Sequence, residues 1–278
     1  YFDEQYKALQ RLTRARYHVA QNIVREKNRY LTNLFLKFSG LYQENLFSNK
    51  FGATAMELSN GAFSLDEIVH MPVDELAQFI NTSGKGKFAD PKALADGIQK
   101  AARSSYRLPK TVEDSVNRVL AVSTLAIKSY LEQLKSLDKS ISSLMETIPN
   151  TLTSVKGVGP VYAAGILSEI GNINRFKGQA SLAKYAGLSW SRYQSGNFDS
   201  DNTHMINSGN RYLRYYLIEA ANLVRRHDPE FKRFYELKYR ETPKTPHKRA
   251  LALTARKFVR LVYALLRDQR LYIPSRIE

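Results

Sequence analysis

The sequence predicts a mainly α-helical protein, with long coiled-coil helices followed by a compact helical domain. Three observations predict it. Residues 4–38 and 111–148 run without proline or glycine and repeat apolar side chains at helical spacing. Glycine and proline collect between and after these segments as punctuation. No stretch shows the sustained apolar/polar alternation of a half-buried strand.

The first segment places Leu9, Leu12, Val19, Ile23, Tyr30, Leu34 and Phe38 at helical spacing, with Arg11, Arg14, Arg16, Arg25, Lys27 and Arg29 on the outer face. Such a face is either a solvated exterior over a core stripe or a phosphate-binding surface. Arg11, Arg14 and Arg25 are the candidate contacts in the second case. Residues 39–110 are broken by Gly40, Gly52, Gly61, Pro72, Gly84, Gly86 and Pro91 into shorter pieces. One helix is predicted over 65–80, and Ser64 with Glu67 has the form of a capping box at its start. No catalytic pattern occurs there.

The second long segment carries Leu120 and then Ile127, Tyr130, Leu134, Leu137, Ile141, Leu144 and Ile148 in alternating steps of three and four. That heptad seam favours a coiled coil, either with the first helix of the same chain or with a second copy. Pro149 ends it. Ser154-Val155-Lys156-Gly157-Val158-Gly159-Pro160 then has the form of a helix-hairpin-helix turn. In such a turn, backbone N–H groups at the start of the next helix favour an anion and grip a phosphate backbone without reading bases. Lys156, Gly157 and Gly159 are the candidate contacts; the alternative is a packing element alone.

After the run Gly171-Asn172-Ile173-Asn174-Arg175-Phe176-Lys177 and a short helix through Tyr185, the segment 186–197 is rich in hydroxyl and aromatic side chains and ends Ser195-Gly196-Asn197. Ser195 is expected on a loop where glycine lets the backbone approach a ligand closely; taken alone it is a turn residue. Asn207-Ser208-Gly209-Asn210 leads into a helix beginning Arg211-Tyr212-Leu213-Arg214, with Tyr212, Leu213, Tyr216 and Leu217 expected in the core. Asn210, Arg211 and Arg214 can bind phosphate oxygens, the arginines as planar forks. A helix with Phe231, Phe234 and Leu237 follows, then a basic linker around Pro243 to Arg249 that contains His247. The closing helix has Leu251, Phe258, Val262 and Leu265 as its core stripe and Arg256, Lys257, Arg260 and Arg267 on its cationic side.

Composition narrows the function. The 278 residues hold 42 Lys+Arg against 26 Asp+Glu, a net charge of +16, and 43% are hydrophobic. So large an excess of positive charge points to a polyanionic partner, nucleic acid first. The absence of cysteine removes disulfides and thiolate zinc sites, and five scattered histidines leave no metal site to assign. A reducing cytoplasm is the expected compartment. No apolar run approaches the roughly 20 residues that span a bilayer. The chain opens at Tyr1 on a charged, helix-like stretch, which we read as part of something longer.

Gly157-Val158-Gly159-Pro160, the run from Gly171 to Phe176, Ala186-Gly187-Leu188, Tyr193-Gln194-Ser195-Gly196, Gly209-Asn210-Arg211-Tyr212-Leu213-Arg214 and Ala255-Arg256-Lys257 occur in the order and spacing of one family. Over residues 148–267 the sequence resembles the C-terminal domain of the bridge-RNA-guided insertion-sequence transposases, insertion-sequence family one-ten, which include the pilin-gene invertases. Residues 9–37 resemble the arginine-rich helix that follows the family's N-terminal RuvC-like domain. Trp190 stands where the family usually has proline, and Asn207 and Ser208 where it commonly has Lys-Arg. The resemblance implies three parts: residues 1–40 as that helix, 41–148 as a helical and coiled-coil region, and 149–278 as the transposase domain.

The resemblance further implies a recombinase that cuts and rejoins DNA, with Ser195 as nucleophile beside Gly196 and with Arg192, Arg211 and Arg214 near the developing charge. Magnesium is expected through an acidic RuvC-like domain upstream of Tyr1, with no ligand assignable in these residues, so the fragment alone is expected to be inactive. DNA, a structured bridge RNA and further copies of the chain, as dimer or tetramer, are the implied partners, at the bacterial or archaeal nucleoid. Two other readings fit the charge and the seam: a helix-hairpin-helix module that binds nucleic acid without chemistry, and a coiled-coil assembly module.

Overall fold

The computed structural model describes residues 4–190, 194–195, 198–199, 205 and 208–274. Along the chain these form α1 (Glu4–Lys37), α2 (Ser39–Gln43), α3 (Ala53–Glu57), α4 (Leu65–His70), α5 (Val73–Ser83), α6 (Pro91–Ser104), α7 (Lys110–Met145), α8 (Pro160–Ile170) and α9 (Gln179–Tyr185). A strand pair follows, β1 (Gln194–Ser195) and β2 (Phe198–Asp199), then α10 (Arg211–His227), α11 (Pro229–Arg240) and α12 (Pro246–Asp268). The mainly α class is as the spacing predicts. The short antiparallel pair β1–β2 was not predicted, since two residues per strand carry no periodic signal.

The two long helices form where no proline or glycine interrupts them. α7 stops at Met145 and a turn carries the chain to Ile148, because the residue before Pro149 is disfavoured in helical conformation. The same rule corrects the helix expected over 65–80. Met71, ahead of Pro72, is extended, so the segment divides into α4 and α5. The capping box is present: Glu67 N–H donates to Ser64 Oγ at 3.2 Å and Ser64 N–H to Glu67 Oε2 at 2.6 Å. Hydrogen bonds from Ser64, its backbone N–H first, favour the ionised form and hold the Glu67 carboxyl below its ordinary range.

The chain divides into two compact units, Tyr1–His18 with Lys135–Glu278, and Val19–Leu134. In the second unit, Tyr30 and Leu34 of α1 and Phe38, which caps α2, share a core with Ile68, Leu76, Ile80, Ile98, Leu120 and Ile127. Lys37 is 3% exposed and donates to the Ser59 carbonyl at 2.9 Å. Burial pulls its ammonium down to about 8, with Glu113 opposing.

The first unit is built on α10, which packs on α8, α11 and α12 around Ile166, Leu182, Leu213, Tyr216, Leu217, Phe258 and Val262. Gly165 makes this possible: a Cβ there would stand 2.2 Å from the Tyr216 ring. Tyr216, itself fully buried, donates its hydroxyl proton to the Thr13 carbonyl at 2.6 Å. Of the heptad seam, Ile127, Ile141 and Ile148 are buried, whereas Tyr130, Leu134, Leu137 and Leu144 are half-buried.

Several side chains lie elsewhere than their spacing suggests. Arg16, expected on the outer face, is 8% exposed and ion-paired with Asp138. A bidentate partner lets a guanidinium sit among apolar neighbours. Tyr212 is half-buried, and Leu251 also. In α11, Phe231 and Tyr235 face the core while Leu237 is 52% exposed. His247, expected in a linker, sits in the first turn of α12 and shares a 2.7 Å hydrogen bond with the Tyr235 hydroxyl. No helix among the described residues is long and apolar enough to cross a membrane.

Candidate functional site

The stretch that carries Ser195 leaves and rejoins the first unit at one place. α9 ends at Tyr185, and Gly187 turns the chain with φ +70°, after which Leu188 N–H donates back to the Ala183 carbonyl at 2.8 Å. On the return, Gly209 has φ +107°, and Asn210 N–H donates to the Tyr185 carbonyl at 2.7 Å. The two glycine backbones touch. A Cβ on Gly187 would stand 2.3 Å from the Ser208 carbonyl oxygen, and one on Gly209 2.7 Å from Gly187 N. Only glycine combines positive φ with such an approach. Farther out, Trp190 bridges Met205, and Ser195 pairs with Phe198 in the β1–β2 register. The Ser195 side chain, Gly196 and Arg192 lie outside the described residues.

Where the chain returns, Asn210 caps α10. Its Oδ1 accepts from Tyr212 N–H and Leu213 N–H, both at 3.0 Å, which satisfies two of the donors a helix start leaves unpaired. Its Nδ2 donates to Glu169 Oε2 at 2.7 Å and to the Tyr185 hydroxyl at 3.2 Å. Glu169, 1% exposed in the mostly apolar α8, also accepts from Arg14 Nε at 2.7 Å and Arg14 Nη2 at 2.9 Å. This carboxylate therefore ties α1, α8 and the start of α10 together. It was not singled out from the sequence. The available signal was a lone acid in an apolar helix, which a folded protein tolerates only with partners.

Tyr212 centres a basic, aromatic cluster. Arg14 lies 4.7 Å and Arg211 5.0 Å from its ring centroid, and His18 Nε2 shares a 3.1 Å hydrogen bond with its hydroxyl. The charges are not equivalent. Arg14 is committed to Glu169, and that hydrogen bond holds its guanidinium above its ordinary pKa. Arg211 donates to the Tyr212 hydroxyl at 3.1 Å and Arg214 only weakly to the Ser208 carbonyl at 3.5 Å, so among the described residues neither faces a carboxylate. Arg11 is exposed in the same unit; Arg25, exposed beside Asn22, belongs to the other unit.

The turn at 157–159 packs elsewhere along α10. Leu152–Ser154 forms a 3₁₀ turn, and α8 begins at Pro160 with Gly159 as its cap. Gly157, φ +96°, lies against the backbone of Leu223 and Val224, each 3.0 Å from where a Cβ would stand. Gly159 has open space, and Lys156 is exposed. Thirteen residues of helix separate Asn210 from Leu223, about 20 Å along the axis. The structure thus brings Arg14, Asn210 and Arg211 together, and places Lys156, Gly157 and Gly159 near the other end of α10.

Residues 150–236 match the model of the transposase IS116/IS110/IS902 family. The insertion element IS110 protein of 43.6 kDa from Streptomyces coelicolor is 34% identical over 197 residues, 64% of this chain and 48% of its own length. The insertion element IS116 protein of Streptomyces clavuligerus is 30% identical over 202 residues, covering 69% and 48%. A pilin gene-inverting protein of Moraxella bovis is 27% identical over 151 residues, covering 52% and 46%. The chain spans about half the length of these relatives. Residues 150–236 therefore belong to the IS116/IS110/IS902 transposase family.

Proposed function

We propose that this chain is part of a DNA recombinase in which Ser195 is the nucleophile, guided by a structured bridge RNA and completed by an acidic RuvC-like domain outside these residues. The observation that carries the reading is the closure of the Ser195 stretch at Gly187 and Gly209, directly beside Asn210 and Arg211. A backbone pinned at both ends delivers Ser195 from a fixed base, and among the described residues the neighbouring guanidiniums of Arg211 and Arg214 face no carboxylate that would compete with phosphate.

In this reading the Ser195 hydroxyl attacks a backbone phosphorus, forming a phosphoserine ester and releasing a sugar hydroxyl. Attack of a sugar hydroxyl on that ester reverses the exchange and rejoins the strand, so no hydrolysis intervenes. Positively charged groups near the phosphorus favour the transition state, in which charge builds on the phosphoryl oxygens. Arg192 and Gly196 enter the proposal through the motif. The turn at Lys156, Gly157 and Gly159 is read as a second phosphate grip, about 20 Å away by helix rise. Arg11 and Arg25 are read as further phosphate contacts.

Magnesium, which the resemblance implies, does not fit the described residues: among them no group of three or more acidic or imidazole side chains is placed to hold a metal. Pairing of copies through the half-buried seam of α7 belongs to the same proposal, as does a place at the nucleoid.

Recombination by the full-length protein with its RNA and magnesium tests the reading. Ser195→Ala is expected to abolish recombination with nucleic-acid binding retained, while Ser191→Ala is much milder. Near-normal recombination by Ser195→Ala would eliminate the nucleophile assignment.

A further inference from the structure

Between α11 and α12 lies a cleft of about 640 Å³, lined by residues that the site above does not use. Phe234, Leu253 and Leu261 give it an apolar wall, and Arg256, Lys257 and Arg260 stand along it. Lys257 is accounted for: it is paired with Glu230 at 2.7 Å and lies 4.9 Å from the Phe234 ring centroid. The two arginines are not. Among the described residues neither makes an ion pair, and Arg256 has only the Gln179 carbonyl, at 3.3 Å from Nη1.

Arg256 and Arg260 are four residues apart, on one face of α12, where like charges repel. Burial first, and then the Arg260 charge, pull the Arg256 guanidinium below its ordinary pKa. An anion seated between the two would relieve both effects, and the planar forks of two arginines suit phosphate oxygens. The apolar wall is superfluous for a bare phosphate. It suits the face of a base, and the volume falls in the range of pockets that enclose small ligands.

We propose that this cleft holds one unpaired nucleotide of a single strand, with its phosphate between Arg256 and Arg260 and its base against Phe234. The proposal rests on the nucleic-acid reading above and adds a preference for unpaired strand. In a duplex the base is stacked and paired, so Phe234 gains nothing. Aromatic wedges of this kind bind any base, because every base has a π-face.

Fluorescence anisotropy of the 278-residue chain with labelled oligothymidylate, oligouridylate and a duplex DNA tests it. The unmodified chain is expected to bind single strands, and whichever of the two oligonucleotides binds more tightly identifies the strand held. Arg260→Gln and the Arg256→Gln, Arg260→Gln pair should weaken single-strand binding and flatten the slope of log K against log salt by about 0.7 for a shared phosphate. Phe234→Ala should weaken single-strand binding roughly five- to a hundredfold with duplex affinity unchanged. Arg260 is exposed and, among the described residues, without an ion pair, so its variant reads binding without loss of fold. Phe234→Leu, which keeps the apolar bulk, decides the aromatic contribution should the alanine variant unfold. Unchanged single-strand binding in the Arg260 variant, or equal losses for single strand and duplex, would overturn the cleft assignment alone. An unmodified chain that binds no nucleic acid would overturn the nucleic-acid reading, and the cleft with it.

Discussion

Glu169 and Asn210 are joined at 2.7 Å, a buried carboxylate holding the residue that caps α10. Through this one contact the rim of the Ser195 stretch depends on a side chain in the interior of α8. Glu169→Gln is expected to lose the charge-assisted bonds to Arg14 and Asn210 and to destabilise the first unit by about 2 kcal/mol in urea unfolding, tempered by the partial exposure of Arg14. An unchanged midpoint would show that the network is dispensable.

The roles of Arg14, Arg211 and Arg214 separate in the same way. Arg211→Gln and Arg214→Gln should leave stability within about 0.5 kcal/mol. Each should flatten the salt dependence of duplex-DNA binding by about 0.9 for each phosphate lost. Arg14→Gln should instead lower stability by about 1–2 kcal/mol, because it leaves Glu169 buried with fewer donors. Equal behaviour of all three in binding and unfolding would refute the division.

Gly165→Ala tests the packing on which α10 is seated. Alanine gains about 1 kcal/mol of helix propensity, but its Cβ would stand 2.2 Å from the Tyr216 ring. Overpacking costs typically 1–3 kcal/mol and more when the neighbour cannot move. Net destabilisation is expected, reduced in the Gly165→Ala, Tyr216→Leu double variant relative to the sum of the single changes. Strict additivity would mean that the ring is not the obstacle.

Lys37 gives the second unit a pH dependence of definite sign. Its folded pKa, about 8, lies below the ordinary 10.5, so between those values the unfolded chain binds more protons and stability rises with pH. The gain is at most about 3 kcal/mol over that window. Lys37→Met should abolish it. Unfolding measured from pH 7 to 10 checks this, and stability that falls over the window and is unaffected by the substitution would contradict it.

Long uninterrupted periodicity made α1 and α7 legible, as the Ser64 and Glu67 pattern did the start of α4, because each signal is local. Pro72 was visible in the sequence, yet the helical spacing around it outweighed the backbone rule it enforces at Met71. Arg16 and Glu169 were misjudged or missed for one reason. Their partners, Asp138 and Arg14 with Asn210, are distant in sequence, and spacing on a single helix says nothing of what will lie against it. The glycines at 187 and 209 were visible as residues; that their backbones meet was not.

The most direct test of the account is a search for a covalent link between Ser195 and DNA. The full-length protein, with its RNA, magnesium and a nicked substrate that stalls rejoining, is quenched in denaturant, resolved on a denaturing gel and digested for mass spectrometry. The account predicts a protein–DNA adduct whose phosphoester maps to Ser195 and which is absent from Ser195→Ala. Strand cleavage without any adduct, or an adduct that maps to another residue and persists in Ser195→Ala, would contradict it.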